Sequence, residues 1–144
     1  MGKEIILSPV VTINSVDLSD HISKATIMTQ RTEVDVSTFG ATYKEILLGL
    51  GDASITLDFL QDFDANSVDA TLWPLSQSGS VFPVTVRPRS AGGGTVISGT
   101  NPLYTMSQSV LSNYDPLDGS IGAASITSVK FSNAGQTGVV RSTA

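Results

Sequence analysis

Ala53, Ile55, Leu57 and Phe59 alternate with Ser54, Thr56 and Asp58, and beyond residue 65 the period changes. Alternation of this kind puts the apolar set on one side of a strand and the polar set on the other, so one face is buried. Val68, Leu72 and Leu75 then fall at i, i+4 and i+7, one stripe of a helix. Asn66 or Ser67 supplies the N-cap, and Asp69 stands in the first turn, where the helix dipole favours a negative charge. Pro74 has no N–H to offer Ala70 and crowds its carbonyl. The helix therefore ends near Trp73 or kinks into a last turn before Gly79. A half-buried strand next to one amphipathic helix points to a sheet that carries a helix on it.

The remaining patterns are β-like. Val10, Val11 and Ile13 open a strand segment, with Asn14-Ser15 as a turn. Residues 22–36 alternate softly, with Ala25, Ile27 and Thr29 on one face and Thr26, Met28 and Gln30 on the other. They pair naturally with residues 53–61 as a hairpin whose connection is a long loop, 37–52. Residues 81–87 bury Phe82, Val84 and Val86, and Pro83 places that strand at a sheet edge. Residues 103–112 set Tyr104, Met106 and Val110 against Thr105, Ser107 and Ser109, and 123–132 read as the last strand. Residues 1–9 and 133–144 read as terminal arms with too little apolar surface to order alone. The expectation is a single domain, residues 1–144, all-β with one α-helix: an antiparallel β-sandwich or barrel of seven or eight strands.

Composition narrows the function classes. Charged residues are 15% of the 144-residue chain and the net charge is −5, with eight Lys and Arg scattered and no basic run. That balance argues against tight nucleic-acid binding, which needs cations against phosphates. With no cysteine disulfides are excluded, and one histidine without cysteine argues against zinc. His21, beside Ser19-Asp20, reads as a hydrogen-bonded turn residue, and nothing in the sequence brings a nucleophile to it. Asp58, Asp62 and Asp64 do not have calcium-loop spacing and read as solvated strand-end charges. Arg87-Pro88-Arg89 with Gly92-Gly93-Gly94 lacks the lysine and following helix of a phosphate loop, and reads as an exposed hairpin tip. No catalytic, cofactor or metal site is expected, and no apolar run is long enough to span a membrane.

Several pieces occur in a telling order: Phe39-Gly40, Gly49-Leu50 with Asp52, Phe59-x-Gln61-Asp62, and Val68-Asp69-x-x-Leu72-Trp73-Pro74-Leu75. Together they resemble the tail tube (major tail) proteins of long, non-contractile bacteriophage tails, related in fold to the tube protein of type VI secretion. The resemblance covers about half the chain strongly. It implies a structural virion protein, made in the host bacterial cytoplasm, that forms hexameric rings stacked into a tube. Each subunit lends strands to a ring-wide inner β-barrel. The implied partners are further copies, the tape measure protein and phage DNA in the lumen, and the tail tip and tail terminator proteins. The alternative from a different class is a carbohydrate-binding or host-attachment β-sandwich. That module needs aromatics clustered on one sheet face, whereas aromatics here are 6% and several fall at core-type positions.

Three residue groups follow. Phe39, Tyr43, Ile46, Leu47, Leu48 and Leu50 crowd a connection that should lie on the surface, which marks contact with a neighbouring subunit or ring. The alternative is that the leucines fold back over the subunit's own core. Ser54, Thr56 and Asp58, or Thr105, Ser107 and Ser109, are the candidate lumen-facing sets, since a sliding duplex needs a wall that ignores phosphates. Val68, Leu72, Trp73 and Leu75 are expected to anchor the helix on the sheet.

Overall fold

In the computed structural model, which describes residues 9–88 and 102–143, the alternating stretch is the second half of one 15-residue strand. The described elements run β1 (Val10–Ile13), β2 (Val16–Asp17), a 3₁₀ turn (Ser19–His21), β3 (Ile22–Asp35), β4 (Ile46–Leu60), α1 (Val68–Ser78), β5 (Phe82–Arg87), β6 (Leu103–Asn113), β7 (Ile126–Asn133) and β8 (Val139–Ser142). All pairings are antiparallel, in the order β2-β1-β5-β6-β7-β4-β3, and β8 adds to β6. The sheet does not close. It wraps instead around one core, to which β1, β5 and β6 give Val11, Ile13, Val84, Val86 and Met106 from one side. β4 and β7 give Ile55, Leu57, Phe59, Val129 and Phe131 from the other. Phe82 and Phe131 meet across it edge to face, with ring centroids 5.8 Å apart.

The tight turn between β1 and β2 is built by Asn14 and Ser15 at φ 48° and 68°, the left-handed pair that matches the twist of a two-residue hairpin. α1 starts after Ser67, runs through Pro74 and ends at Gly79, whose φ of 65° lets its N–H reach the Leu75 carbonyl at 3.3 Å. Val68, Leu72 and Leu75 are buried as the stripe requires. Trp73 is not an anchor. It stands about 100° round the helix from Leu72 and is 47% exposed.

Four further expectations are corrected. β5 is an interior strand between β1 and β6, despite Pro83. The proline is tolerated because the β1 ladder stops at Val84. Beyond it β1 turns away, and Asn14 N–H caps the Pro83 carbonyl at 2.9 Å. In β6, Ser109 is buried in the core and does not sit on the polar face. Phe82 pairs with Ser109 while Val84 pairs with Met106, so β6 carries one extra residue there. That bulge reverses the inward–outward phase, turning Ser109 inward and leaving Val110 half-buried. Ser109 meets the cost of burial by donating to the Phe82 carbonyl at 2.6 Å.

The C-terminal segment 133–144 contains β8, which continues along the edge of β6 that β7 has begun. Finally, residues 46–52 belong to β4 and not to a loop, so the β3–β4 connection is only 36–45. The phosphate-loop-like glycines, Arg89 and residues 1–8 lie outside the described residues.

Candidate functional site

β3 and β4 pair along their whole length, but their two halves have different surroundings. Near the body, Ser54–Leu60 of β4 also pairs with β7. From Ala53 outward β4 pairs only with β3, so residues 31–35 and 46–52 project as a two-stranded ribbon whose root, at Leu50–Ala53, is flanked by residues 133–139. At the β-sheet rise this adds roughly 20 Å beyond the third strand before the tip. Lys44 reaches Asp35 at 4.0 Å across the base of the tip, and Ser37 Oγ accepts from Glu45 N–H at 2.8 Å. Gly40, at φ 83°, makes the tip turn. Gly49 and Gly51 lie within the strand and are not loop hinges. Gly49 falls at a register shift between Arg31 and Glu33, where Arg31 Nε donates to its carbonyl at 3.2 Å.

The ribbon carries exposed apolar side chains on both faces, one of which also bears Glu33 and Asp35. Val34 sits opposite Leu47 on one, and Ile46 and Leu48 sit opposite Asp35 and Glu33 on the other. Ile46, Leu47, Leu48, Phe39 and Tyr43 are exposed, and Leu50 is 89% exposed. None of the six folds back over the subunit's own core. A monomer seldom leaves such a cluster to water without a partner.

The two polar sets do not share a face. Ser54, Thr56 and Asp58 stand on the outer side of β4, in rows with Met28 and Ser132, Thr26 and Lys130, and Lys24 and Ser128. Ser112 of β6 extends this surface through hydrogen bonds to Ser132 and to the Lys130 carbonyl. Ser54 is nearly covered by its neighbours, while Thr56 and Asp58 are half-buried. Thr105 lies in the other half of the sandwich, between Thr85 and Val140, and Ser107 is exposed at the bulge. Outer faces on opposite sides of one core point in opposite directions.

Asp62 has a structural duty that the sequence reading missed. Its carboxylate accepts from His21 Nε2 at 2.9 Å, Ser67 Oγ at 2.7 Å and Asp64 N–H at 2.9 Å, and its carbonyl accepts from Asp69 N–H at 3.1 Å. Gln61 donates to Tyr114 Oη and the Pro116 carbonyl, and Tyr114 donates to Asp69 at 2.7 Å. The Gln61-Asp62 pair thus clamps the end of β4, the 3₁₀ turn, the start of α1 and the loop after β6. The signal was present in the quoted motif, which carries Gln61, Asp62 and Asp69 together. The Asp64 N–H, then the Ser67 hydroxyl and His21, hold the Asp62 pKa below its ordinary value. At His21, desolvation is the largest single influence and pulls the pKa down. Bonds to Asp62 and Asp20 with their charges outweigh it, and the net shift is upward. Burial, then the bond to Asp69, pushes the Tyr114 phenol up to about 12.

Asp20, His21 and Ser67 superficially resemble a hydrolytic triad, with Asp20 on Nδ1 at 2.8 Å and Ser67 3.3 Å from Nε2. The arrangement does not aim a nucleophile. Ser67 gives its proton to Asp62, which also occupies Nε2. Among the described residues no cluster of His, Asp and Glu could hold a metal ion, and no helix is long and apolar enough to cross a membrane.

No family model matches the chain, and no curated protein matches it in sequence. Solved structures do match. A chain in the virion of a native gene transfer agent particle superposes with a TM-score of 0.70 at 16% identity, over 92% of this chain and 95% of that one. A chain in the sheath/tube terminator of the extracellular contractile injection system PVC, in its extended state, gives 0.70 at 9% identity over 98% and 97%. A third, in the tail of an empty gene transfer agent particle with C6 symmetry, gives 0.63 at 18% identity over 86% and 82%. The chain shares its fold with these chains of tails and injection systems. At these identities the likeness is one of fold, and it extends over 82% to 97% of each partner.

Proposed function

We propose that this chain is a tail tube subunit of a phage or phage-like particle, self-assembling into stacked hexameric rings that form a conduit for DNA. The observation that carries the reading is the projecting β3–β4 ribbon, which exposes apolar side chains on both faces in the single subunit. A ribbon of that kind fits between two neighbours that each cover one face. Burying three of Ile46, Leu47, Leu48 and Leu50 at about 1.5–3 kcal/mol each would make a strong contact. Among the described residues no strand pairs with the outer edges of β2 and β3, which supports ring closure, since pairing removes edges. The sixfold symmetry of a matching tail supports six copies.

In this reading the outer face of β3, β4, β7 and β6, with Ser54, Thr56 and Asp58, lines the channel. Six copies of four strands make a barrel of about 24 strands, roughly 48 Å across the backbone at ~40° tilt. That leaves room for a duplex and, before ejection, the tape measure protein. Tail tip and terminator proteins would cap the two ends. Lys24 and Lys130 against Asp58 keep the wall mixed in charge, so it does not grip phosphates.

Negative-stain microscopy of the purified chain tests the proposal. Rings or tubes are expected, and they should be lost in Leu48→Asp while the subunit stays folded. Monodisperse subunits at every concentration, for both chains, would overturn it. A second reading, the inner tube of a contractile injection system, is favoured by the likeness to the PVC complex. Copurification with a sheath protein separates the two.

A further inference from the structure

The end of the fold opposite the ribbon carries a second exposed apolar surface. β4 runs unbroken from Ile46 to Leu60, about 50 Å, so the ribbon and this surface lie at the two ends of one strand. Leu60 and Ile126 stand opposite each other at the last rung of the β4–β7 ladder, and both are exposed. Beside them, residues 115–125 are held at several points. Gln61 N–H donates to the Ser125 carbonyl at 2.9 Å, and Gln61 Nε2 to the Pro116 carbonyl at 2.7 Å. Ser125 Oγ donates to the Asp118 carbonyl at 3.2 Å, and Thr127 Oγ1 to the Asp115 carbonyl at 2.5 Å. This anchored segment nevertheless leaves Leu117 and Ile121 exposed. Phe63 follows the Asp62 clamp, and Trp73 stands one turn along α1 from Asp69, to which Tyr114 donates at the head of the same segment. Both rings are exposed. Pro9, Pro88 and Pro102, beyond which the described residues end, adjoin the ends of β1, β5 and β6 that point away from this surface.

We infer that this surface receives the ribbon of a second copy, so that copies join head to tail along the direction of β4. The inference rests on the tube reading and names the surface that the ribbon meets there. β4 holds the ribbon away from its own subunit's far end, so only another copy can bring the two surfaces together. A contact between two different surfaces of one chain is not satisfied within a pair. Each added copy leaves one ribbon and one receiving surface free, so the contact propagates, as stacking requires. The area is sufficient. At about 200 Å² for a full ring, Phe39 and Tyr43 of the ribbon with Phe63 and Trp73 of the far end present about 600 Å². The exposed aliphatic residues of the two ends bring the total to the roughly 1,200 Å² of a stable specific contact. Charge does not drive it. Asp64, Asp115 and Asp118 stand at the far end, and Glu33, Asp35 and Glu45 outnumber Arg31 and Lys44 on the ribbon. Like charges are screened by salt, so added salt should favour the contact.

The absence of cysteine allows a direct test with single thiols. A chain carrying Leu48→Cys is mixed with one carrying Leu117→Cys under assembly conditions and treated with a short bis-maleimide. The mixed dimer should be the main product, and either chain alone should give little. Leu48→Cys chains that link chiefly to one another would place ribbon against ribbon and overturn the inference. Substitution gives an independent readout. Leu117→Asp with Ile121→Asp should raise the concentration needed for tubes about tenfold, the equivalent of about 1.4 kcal/mol, while rings and the thermal midpoint stay as in the parent chain. Tubes at the parent concentration would refute it, as would tubes that added salt dissolves into intact rings. Parent tubes that show neither the mixed cross-link nor the concentration shift defeat this inference alone. A parent chain that forms neither rings nor tubes defeats the tube reading, and this inference with it.

Discussion

β3 and β4 hold two regions that share the same strands, the same ladder and similar apolar content, yet behave as different kinds of surface. Near the body, Ala53, Ile55, Leu57 and Phe59 point to one side and are buried, because one core lies on one face of the sheet. In the ribbon, Leu47 and Val34 point one way and Leu48 and Ile46 the other, and all four are exposed. A single core imposes alternation. When alternation is lost but the apolar residues remain, the sequence describes a strand with apolar surface to cover on both faces. Here the described residues supply cover for only one of the two regions.

The comparison can be broken by substitution. The largest effect belongs to the body. Leu57→Ala removes a fully buried side chain and should cost about 2–5 kcal/mol in chemical denaturation. A loss below about 1 kcal/mol would mean that this half is not core. Tyr114→Phe should cost about 1 kcal/mol by leaving Asp69 without its phenolic donor. In the parent chain, an absorbance titration should show one tyrosine ionising near pH 12. A smaller, pH-dependent contribution comes from the clamp. The raised pKa of His21 stabilises the fold fully below 6.5 and is lost as pH rises through the folded value. The lowered pKa of Asp62 stabilises above 3.8 and is lost as pH falls. The two overlap between pH 3.8 and 6.5, and His21→Ala should flatten the decline above 6.5. A parallel decline in both chains would exclude the clamp as its source. The smallest change in subunit stability is expected for Leu48→Asp, within about 0.5 kcal/mol. A drop of several kcal/mol would show that Leu48 serves its own subunit and erase the distinction between the two regions.

Where one core dictates one pattern, the sequence was readable: the Ala53–Phe59 strand, the Val68–Leu72–Leu75 stripe and the Phe82–Val84–Val86 strand all emerged from periodicity. Misreadings arose where a non-local event decided the outcome. The β6 bulge turned Ser109 inward, and no local propensity marks where two strands will fall out of step. Pro83 implied an edge, but the turn at Asn14 made one corner of an interior strand tolerant of it. The segment holding β8 is polar and glycine-containing, and orders because β6 offers it an unfilled edge. Residues 46–52 resembled a loop because their two-sided apolarity mimics no single-core strand. Of the candidate contact residues, the sequence located all six on the surface. It did not reveal that Gln61, Asp62 and Tyr114 brace the helix, since hydrogen-bond partners 53 positions apart leave no periodic trace.

β4 passes from the core to the ribbon without a break between Ile46 and Leu60. A continuous strand of about 50 Å is a lever whose fulcrum is the packed sheet. Force applied at the tip is delivered directly to Ile55, Leu57 and Phe59, with no hinge to absorb it; of the two register shifts in the ladder, the one in the ribbon, near Gly49, adds twist rather than slack. In an array built from such subunits, curvature would be set by the stiffness of each lever's seat more than by compliance at the places where copies touch.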